Sequence, residues 1–440
     1  MKHFRIECEF ESGHSTVAEH RATWARLEIW VNNKCVTRHQ NLAEGELHSG
    51  IVRPMYPVAE WLLTNWWRLN YELPYPKRPG YWRGHHIRAA EEGFALPDLE
   101  FVTAGDLMKL VCKPHNAEHQ RVEFIDDACC WLPREEVRAE FCRVIEQVVC
   151  RLKKRQLVDT FVESEFTALQ RLTSDEHEFC AAAGALGVDP FQITDAAASA
   201  IELATSELPS SIQSELFAVA DLSRLSLAAD WVKNSLRDCV DHEFDVRSLQ
   251  RCVRKSNFQD RKLPPWKYGY QRAGELRQAL NIAPSQAAFC LDLLAPGLDA
   301  FVESHHVEQA TESFSKLDLL GDASAKDVLR ISMKKQRRDS RRFAIARAIG
   351  DFLAMANNDV FVITANNSSS SSEAMTTRQR FNRAFAAELL APAEALAQHV
   401  ASDDFISEDQ VADLTDKFQV SDKVIRRQLR NQLRAEVATQ

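Results

Sequence analysis

The sequence predicts an α+β protein in which helix outweighs strand. Three observations carry this. Residues 1–132 alternate apolar and polar over short runs between turn signals, which is the two-residue period of strands. Residues 133–262 repeat their apolar side chains at three and four residues, which is the period of one helix face. Residues 263–440 mix both periods, with short strands set between helices. The expected layout is therefore a mixed α/β N-terminal domain with hairpins (1–132), an α-helical region (133–262) and a third, C-terminal domain (263–440). A chain of 440 residues is longer than one hydrophobic core usually serves, in keeping with two or three domains.

In the first region Ile6 to Phe10 alternates, and so does Leu27 to Val31. Asn32-Asn33 then offers a turn into Cys35-Val36-Thr37, a hairpin signature. Pro57 suits a first helical turn, and a helix is expected to about Tyr71 with Trp61, Leu62, Trp66 and Leu69 on its apolar face. Trp66 and Trp67 are adjacent, so one of them is expected to face another domain or a partner. Leu107–Cys112 and Val122–Ile125 read as the two strands of a second hairpin. His115-Asn116-Ala117-Glu118-His119 matches H-x-x-E-H, a metal motif that needs a helix. Pro114 and the flanking strand patterns make it a hairpin loop instead. The pairs His85-His86 and His305-His306 read as surface histidines.

From Pro133, the residues Val137, Phe141, Val144, Ile145, Val148 and Val149 line one helix face. Helical patterning continues to about residue 253, with breaks near Gly184–Pro190 and at Pro209. A boundary is expected in the basic stretch Arg251–Lys262, ahead of Pro264-Pro265. Beyond it come a helix at about 270–280, a strand at Arg330–Met333, a helix at 342–355 and a strand at Val360–Thr364. A Ser-rich loop follows at Asn366–Ser372, then helices at about 376–390, 392–400, 407–418 and 421–434.

Composition limits the function classes. A formal charge of −9 argues against generic coating of nucleic acid. The run Lys334–Arg338 with Arg341-Arg342 is the densest positive stretch, either a solvated loop or a phosphate contact. No apolar run reaches the roughly 20 residues of a membrane helix, and no membrane partner is expected. Eleven Cys, none in a CxxC pair, fit free thiols in a reducing compartment, so a cytoplasmic location is expected. No Gly-rich phosphate loop and no GxSxG elbow occur.

Two segments carry a family resemblance. Arg342-Phe343-Ala344-Ile345-Ala346-Arg347-Ala348-Ile349-Gly350-Asp351-Phe352-Leu353 is similar to the RFTLAHELGHLL-like helix of ImmA/IrrE-type metallopeptidases. Arg383-Ala384-Phe385-Ala386-Ala387-Glu388-Leu389-Leu390-Ala391-Pro392 resembles that family's ANxFAAELLMP helix. The order of helix, strand, loop, helix and terminal helical pair agrees over about residues 330–435. The resemblance implies a zincin-like domain with its catalytic helix at 342–355, and zinc as cofactor. In that family two His at i and i+4 hold zinc, a Glu after the first activates water, and a third ligand comes from the second helix. Here those positions carry Arg347, Asp351, Ala348 and Gln379. Arg cannot coordinate zinc, Ala cannot move a proton, and a Gln amide is a poor ligand. No metal ligand set and no catalytic residue is therefore assigned, and no cofactor is expected. Arg347, Asp351, Gln379 and Glu388 are expected to line a cleft. There Arg347 would bridge Asp351, and Gln379 would accept a hydrogen bond from it. The alternative is a solvated helix face.

The segments Ser407–Phe418 and Ser421–Arg434 form a helix-turn-helix-like pair, capped by Ser407 with Gln410 and by Ser421. Arg426, Arg427, Arg430 and Arg434 decorate its second helix, as a DNA contact would require. The resembled family ends in such a pair too. Three functions are carried forward. The first is a non-catalytic, pseudopeptidase relative acting through a protein partner of repressor type, in regulation, stress response or phage defence. The second is a zinc endopeptidase with ligands from elsewhere. The third is a DNA-binding regulator.

Overall fold

The computed structural model describes residues 3–74, 80–117, 119, 121–252, 264–283, 286, 289–304, 317–325, 327–334, 337–354, 359–364, 375–400, 405–433 and 436–437. They divide into two compact units. The first runs to Thr205 and takes in Met375 and Thr376; the second holds the rest from Ser206 onward. The expected line at 132/133 falls inside the first unit, where strand Ala128–Pro133 leads directly into helix Arg134–Lys154. The expected line at 262/263 touches residues outside the described ones. The architecture is α+β and mostly helical, with several small sheets.

In the first unit, strands Phe4–Phe10 and Trp24–Val31 pair antiparallel. Asn32 and Asn33 take φ of 49° and 67° and turn the chain into Lys34–Cys35, as the alternation predicts. Ile51–Pro54 extends this sheet. A second sheet runs Leu47–His48, His39–Asn41, Val122–Phe124, His115–Ala117. The expected pairing of Leu107–Cys112 with Val122–Ile125 does not form. Leu107–Lys113 instead folds back on Asp98–Ala104 through Gly105-Asp106, with Gly105 at φ 77°. That two-residue Gly-Asp turn closes a tighter hairpin than any partner farther along the chain. His115–Ala117 is strand and not the expected hairpin loop, and a strand does not bring the H-x-x-E-H side chains onto one helical face; Glu118 is outside the described residues.

The helix expected from Pro57 to Tyr71 is two, Tyr56–Thr64 and Trp66–Tyr71, broken at Asn65. The break lets both Trp66 and Trp67 enter the core; one of them was expected to face another domain or a partner, and Trp67 packs on the helix Ser174–Ala185, which belongs to the same unit. Trp67 stacks on Tyr71 and meets His177 edge-on. The helix Ser174–Ala185 comes so close that a Cβ on Gly184 would lie 2.5 Å from the Trp67 carbonyl oxygen. His85 is buried, stacked on Tyr81 at 4.0 Å, and its Nδ1 is bonded to the Tyr81 carbonyl, so it is a core histidine and not a surface one. His305 and His306 are outside the described residues.

The second unit begins with α1 (Ser210–Val219), α2 (Leu225–Asp238) and β1 (Glu243–Asp245). Next come α3 (Pro265–Ala279), α4 (Leu298–Ser304), β2 (Leu317–Asp322) and β3 (Val328–Met333). Then follow α5 (Arg338–Ala354), β4 (Val360–Thr364), α6 (Thr377–Leu390) and α7 (Ala393–Ala397). The terminal helices are α8 (Glu408–Phe418) and α9 (Asp422–Gln428). The four strands form an antiparallel sheet in the order β1-β3-β2-β4. All five residues of β4 are buried, and α1 is tied to it where Ser211 Oγ donates to the Val360 carbonyl at 2.8 Å.

Helix α5 is the centre of this unit. From Arg341 to Ala354 every residue except Phe343 is buried, so it has no solvent face. Small residues set the spacing around α6. A Cβ on Gly350 would lie 2.6 Å from the Phe385 ring, and one on Gly269 2.5 Å from the Phe381 carbonyl oxygen. The helices α5 and α3 can approach α6 only because those positions lack side chains.

Candidate functional site

Helix α5 carries residues 342–353 and helix α6 residues 383–390, the two segments on which the sequence resemblance rests. Arg347 and Asp351 lie one turn apart on α5 and are 2% and 1% exposed, which removes the solvated-face alternative. Ala348 is fully buried beside them in the core. Gln379 is buried in the first turn of α6. The structure thus brings Arg347, Asp351 and Gln379 into one region of the second unit.

The bonding differs from the expected Arg347–Asp351 bridge. Asp351 Oδ1 accepts from Arg378 Nε at 2.6 Å. Arg347 Nη1 donates instead to the Thr364 carbonyl at the end of β4, also at 2.6 Å. Gln379 was expected to accept from Arg347; its Nε2 donates to Glu215 Oε2 on α1 at 2.9 Å. The reason is geometric: Arg378, at the start of α6, reaches Asp351 from across the helix interface. Arg347 is then free to satisfy the last carbonyl of the neighbouring strand. Arg378 also donates to the Ser211 carbonyl at 3.2 Å, which joins α1 to the same region.

Three guanidiniums and three carboxylates meet in this part of the unit. Burial pushes the Arg347 pKa down to about 10, while the charges of Asp318, Asp351 and Glu215 oppose the fall. Burial also works against the Arg378 charge, but Asp351 outweighs it and holds that group above the ordinary arginine value. Arg383 is driven well below the arginine range, by burial first and by the nearby Arg347 and Arg427 charges next. Among the described residues, Nε and Nη2 of Arg347 and Oδ2 of Asp351 are buried without a hydrogen-bond partner.

This donor set does not fit zinc. Zinc sites are built from imidazole, thiolate and carboxylate donors about 2.0–2.3 Å from the ion. Here the carboxylates of Glu215, Asp318 and Asp351 act on Arg347, and Asp351 is directly bonded to Arg378. A divalent cation would meet like charges at Arg347, Arg378 and Arg383. Among the described residues, groups of three metal-ligating side chains occur at Glu44, Glu46 and His48 in the first unit, and at Cys290, Asp292 and Asp299 in the second. Neither group includes a residue of the α5–α6 cluster.

Glu388 is not part of the cluster, contrary to expectation. It lies nine positions along α6 from Gln379, about 14 Å at 1.5 Å per residue. Its carboxylate accepts from Gln428 Nε2 at 2.9 Å, from Gln432 Nε2 at 2.5 Å and from the Ala393 backbone N–H. The glutamate of the FAAELL segment therefore anchors the terminal helices. Burial raises its pKa above the usual carboxylate range, against those hydrogen bonds.

The terminal pair has the expected helices, with the Ser407–Gln410 capping box in place. Ser421 sits at the N-cap of α9 without a side-chain cap bond. Arg426 is bonded to Glu408 and lies 3.6 Å from Asp422. Arg427 and Arg430 are exposed, and Arg434 lies outside the described residues. Lys334, from the basic run, places its ammonium 4.1 Å over the Trp231 ring.

Arg378, Glu215, Asp318 and Arg383 were not singled out from sequence. Arg378 is adjacent to the Gln379 position, and was readable from it. Glu215 lies 164 positions upstream of Gln379, and no local pattern joins them. No family model, curated protein or solved structure matches the chain.

Proposed function

We propose that the second unit is a non-catalytic relative of the ImmA/IrrE peptidases, in which a buried ion network stands in place of the zinc centre. The observation that carries this is Asp351, at a position where the family coordinates metal, bonded to Arg378 at 2.6 Å and sharing its surroundings with buried Arg347. A cation is kept where zinc would stand, but it is covalently part of the chain. Ala348 supplies no general base. Such a unit acts by binding and not by hydrolysis. The resemblance makes its partner a protein of repressor type, and its setting regulation, stress response or phage defence.

Zinc content and peptidase activity of the full chain carrying His48→Ala test this. That substitution removes the first unit's candidate ligand from the readout. The expected result is less than a tenth of an equivalent of zinc and no cleavage of a repressor-like substrate. A full equivalent of zinc, with metal-dependent cleavage, would overturn the proposal.

A further inference from the structure

We infer that the guanidinium of Arg347 is the floor of a phosphate-binding site, which helix α1 covers with a carboxylate of its own, Glu215. The inference rests on the bonding of the cluster and stands apart from the peptidase resemblance. Nη1 of Arg347 donates to the Thr364 carbonyl at 2.6 Å, which fixes the direction of the group. Nε and Nη2 form another edge, and both are buried without a hydrogen-bond partner among the described residues. Their N–H bonds run side by side, spaced for two oxygens of one oxyanion. Arg347 is 2% exposed, so bulk solvent does not satisfy that edge, and buried donors left unmade are costly.

Three more unsatisfied groups share this region. Arg378 Nη2 is buried without a partner, although its Nε holds Asp351 and its Nη1 the Ser211 carbonyl. Asp351 Oδ2 and the Thr364 hydroxyl are buried and unpartnered too. Arg347 and Asp351 are one turn apart on α5, Arg378 is bonded to Asp351, and Thr364 is held by Arg347. Asp318, Asp351 and Glu215 act on Arg347 by charge, but none bonds to its open edge. Arg383 is driven down by burial and then by the charges of Arg347 and Arg427, a crowding of cations that an anion relieves.

The mixture of groups selects phosphate over a carboxylate ion. The edge of Arg347 and Arg378 Nη2 donate to bare oxygens. Asp351 Oδ2 can only accept, so it needs a proton from the ligand. Hydrogenphosphate, or a singly protonated phosphate monoester, offers P–O⁻ acceptors and a P–O–H donor together. Helix α1 accounts for the closed state. Ser211 Oγ donates to the Val360 carbonyl at 2.8 Å, and Gln379 Nε2 donates to Glu215 Oε2 at 2.9 Å. Glu215 is 4% exposed, and its charge acts on Arg347, Arg378 and Arg383 alike. It is a resident carboxylate among the guanidiniums that still leaves the Arg347 edge unmade. Helix α1 follows Pro209 with no side-chain cap bond, so its first turn is the weak point. Ile212, Leu216 and Phe217 on its buried face keep it seated otherwise. When it lifts, phosphate takes the place of Glu215.

Calorimetric titration of the full chain with inorganic phosphate, O-phosphoserine and sulfate tests the site, at a pH of about 6.5, near the second pKa of a phosphate monoester. One saturable equivalent of phosphate is expected. Sulfate carries no proton there and should bind at least about tenfold more weakly, because it sets an acceptor against Asp351 Oδ2. Phosphoserine binding as tightly as inorganic phosphate makes the ligand a phosphorylated side chain, and inorganic phosphate binding alone makes it the free ion; both uphold the site. Glu215→Gln keeps an acceptor for Gln379 and removes the resident charge, so phosphate should bind about tenfold more tightly. Arg347→Lys keeps the charge and loses the paired donors, and should weaken binding at least about tenfold. Glu215→Gln leaves the core intact, so the test does not depend on Arg347→Lys folding. Phosphate should also speed hydrogen exchange of amides 210–219 and slow that of α5. Absence of saturable phosphate binding in Glu215→Gln, an affinity the same as the wild type's there, or one unchanged by Arg347→Lys would overturn the inference.

Discussion

Asp351→Asn tests the ion network at its best-connected carboxylate. Asp351 is 1% exposed and bonded to Arg378, and it also opposes the burial cost of Arg347. The substitution keeps the shape and removes the charge. Two buried guanidiniums then lose a compensating partner. Breaking a buried pair from one side costs about 3–5 kcal/mol. The Arg378 side chain is 17% exposed, which places the expected loss at the lower end, about 3 kcal/mol. At about 2–4 °C per kcal/mol for a unit of this size, the melting midpoint should fall by about 6–12 °C. Differential scanning calorimetry reads the shift, and hydrogen exchange over α5 and β4 localises it. A double-mutant cycle supplies the control. Asp351→Leu with Arg378→Met should be more stable than the sum of the two single changes, with a coupling of about 1–3 kcal/mol. Strict additivity, or a loss under about 1 kcal/mol in Asp351→Asn, would refute the network.

Three further outcomes follow from the same geometry. Gly350→Ala puts a methyl 2.6 Å from the Phe385 ring, so overpacking should cost about 1–3 kcal/mol in urea unfolding; a neutral result would mean that α5 and α6 can part freely. Glu388 holds its proton to higher pH folded than unfolded, so the wild type should lose stability as pH rises from the unfolded carboxylate range, about 4.3, through the folded pKa; Glu388→Gln should lack that loss, and parallel pH profiles would contradict it. On α9, Arg426 is engaged by Glu408 and Asp422, while Arg427 and, just beyond the helix, Arg430 are exposed. Arg427→Ala with Arg430→Ala should leave duplex binding unchanged in an anisotropy titration. A salt slope reduced by about 2 would restore the DNA-regulator alternative.

Local signals were the legible ones. Asn32-Asn33 marked its hairpin because consecutive positive φ is tolerated by few residues, and both adopt it. Arg338–Ala354, Val360–Thr364 and Thr377–Leu390 lie where their periodicities place them. The bonding in the cluster was not legible. Spacing on one helix nominated Arg347 as the partner of Asp351, because residues four apart face the same way. The actual partner, Arg378, comes from another helix, and Glu215 joins from a third. Glu388 was grouped with the cleft by motif, although helical rise along α6 separates it from Gln379.

Anomalous diffraction at the zinc edge, on crystals of the full chain grown with Zn²⁺, tests the central claim most directly. It locates the ion as well as detecting it. The expected map has no peak within bonding distance of Asp351, where Arg378 should remain paired. A peak bound to Asp351, with the guanidiniums of Arg347 and Arg378 turned away, would contradict the ion-network centre.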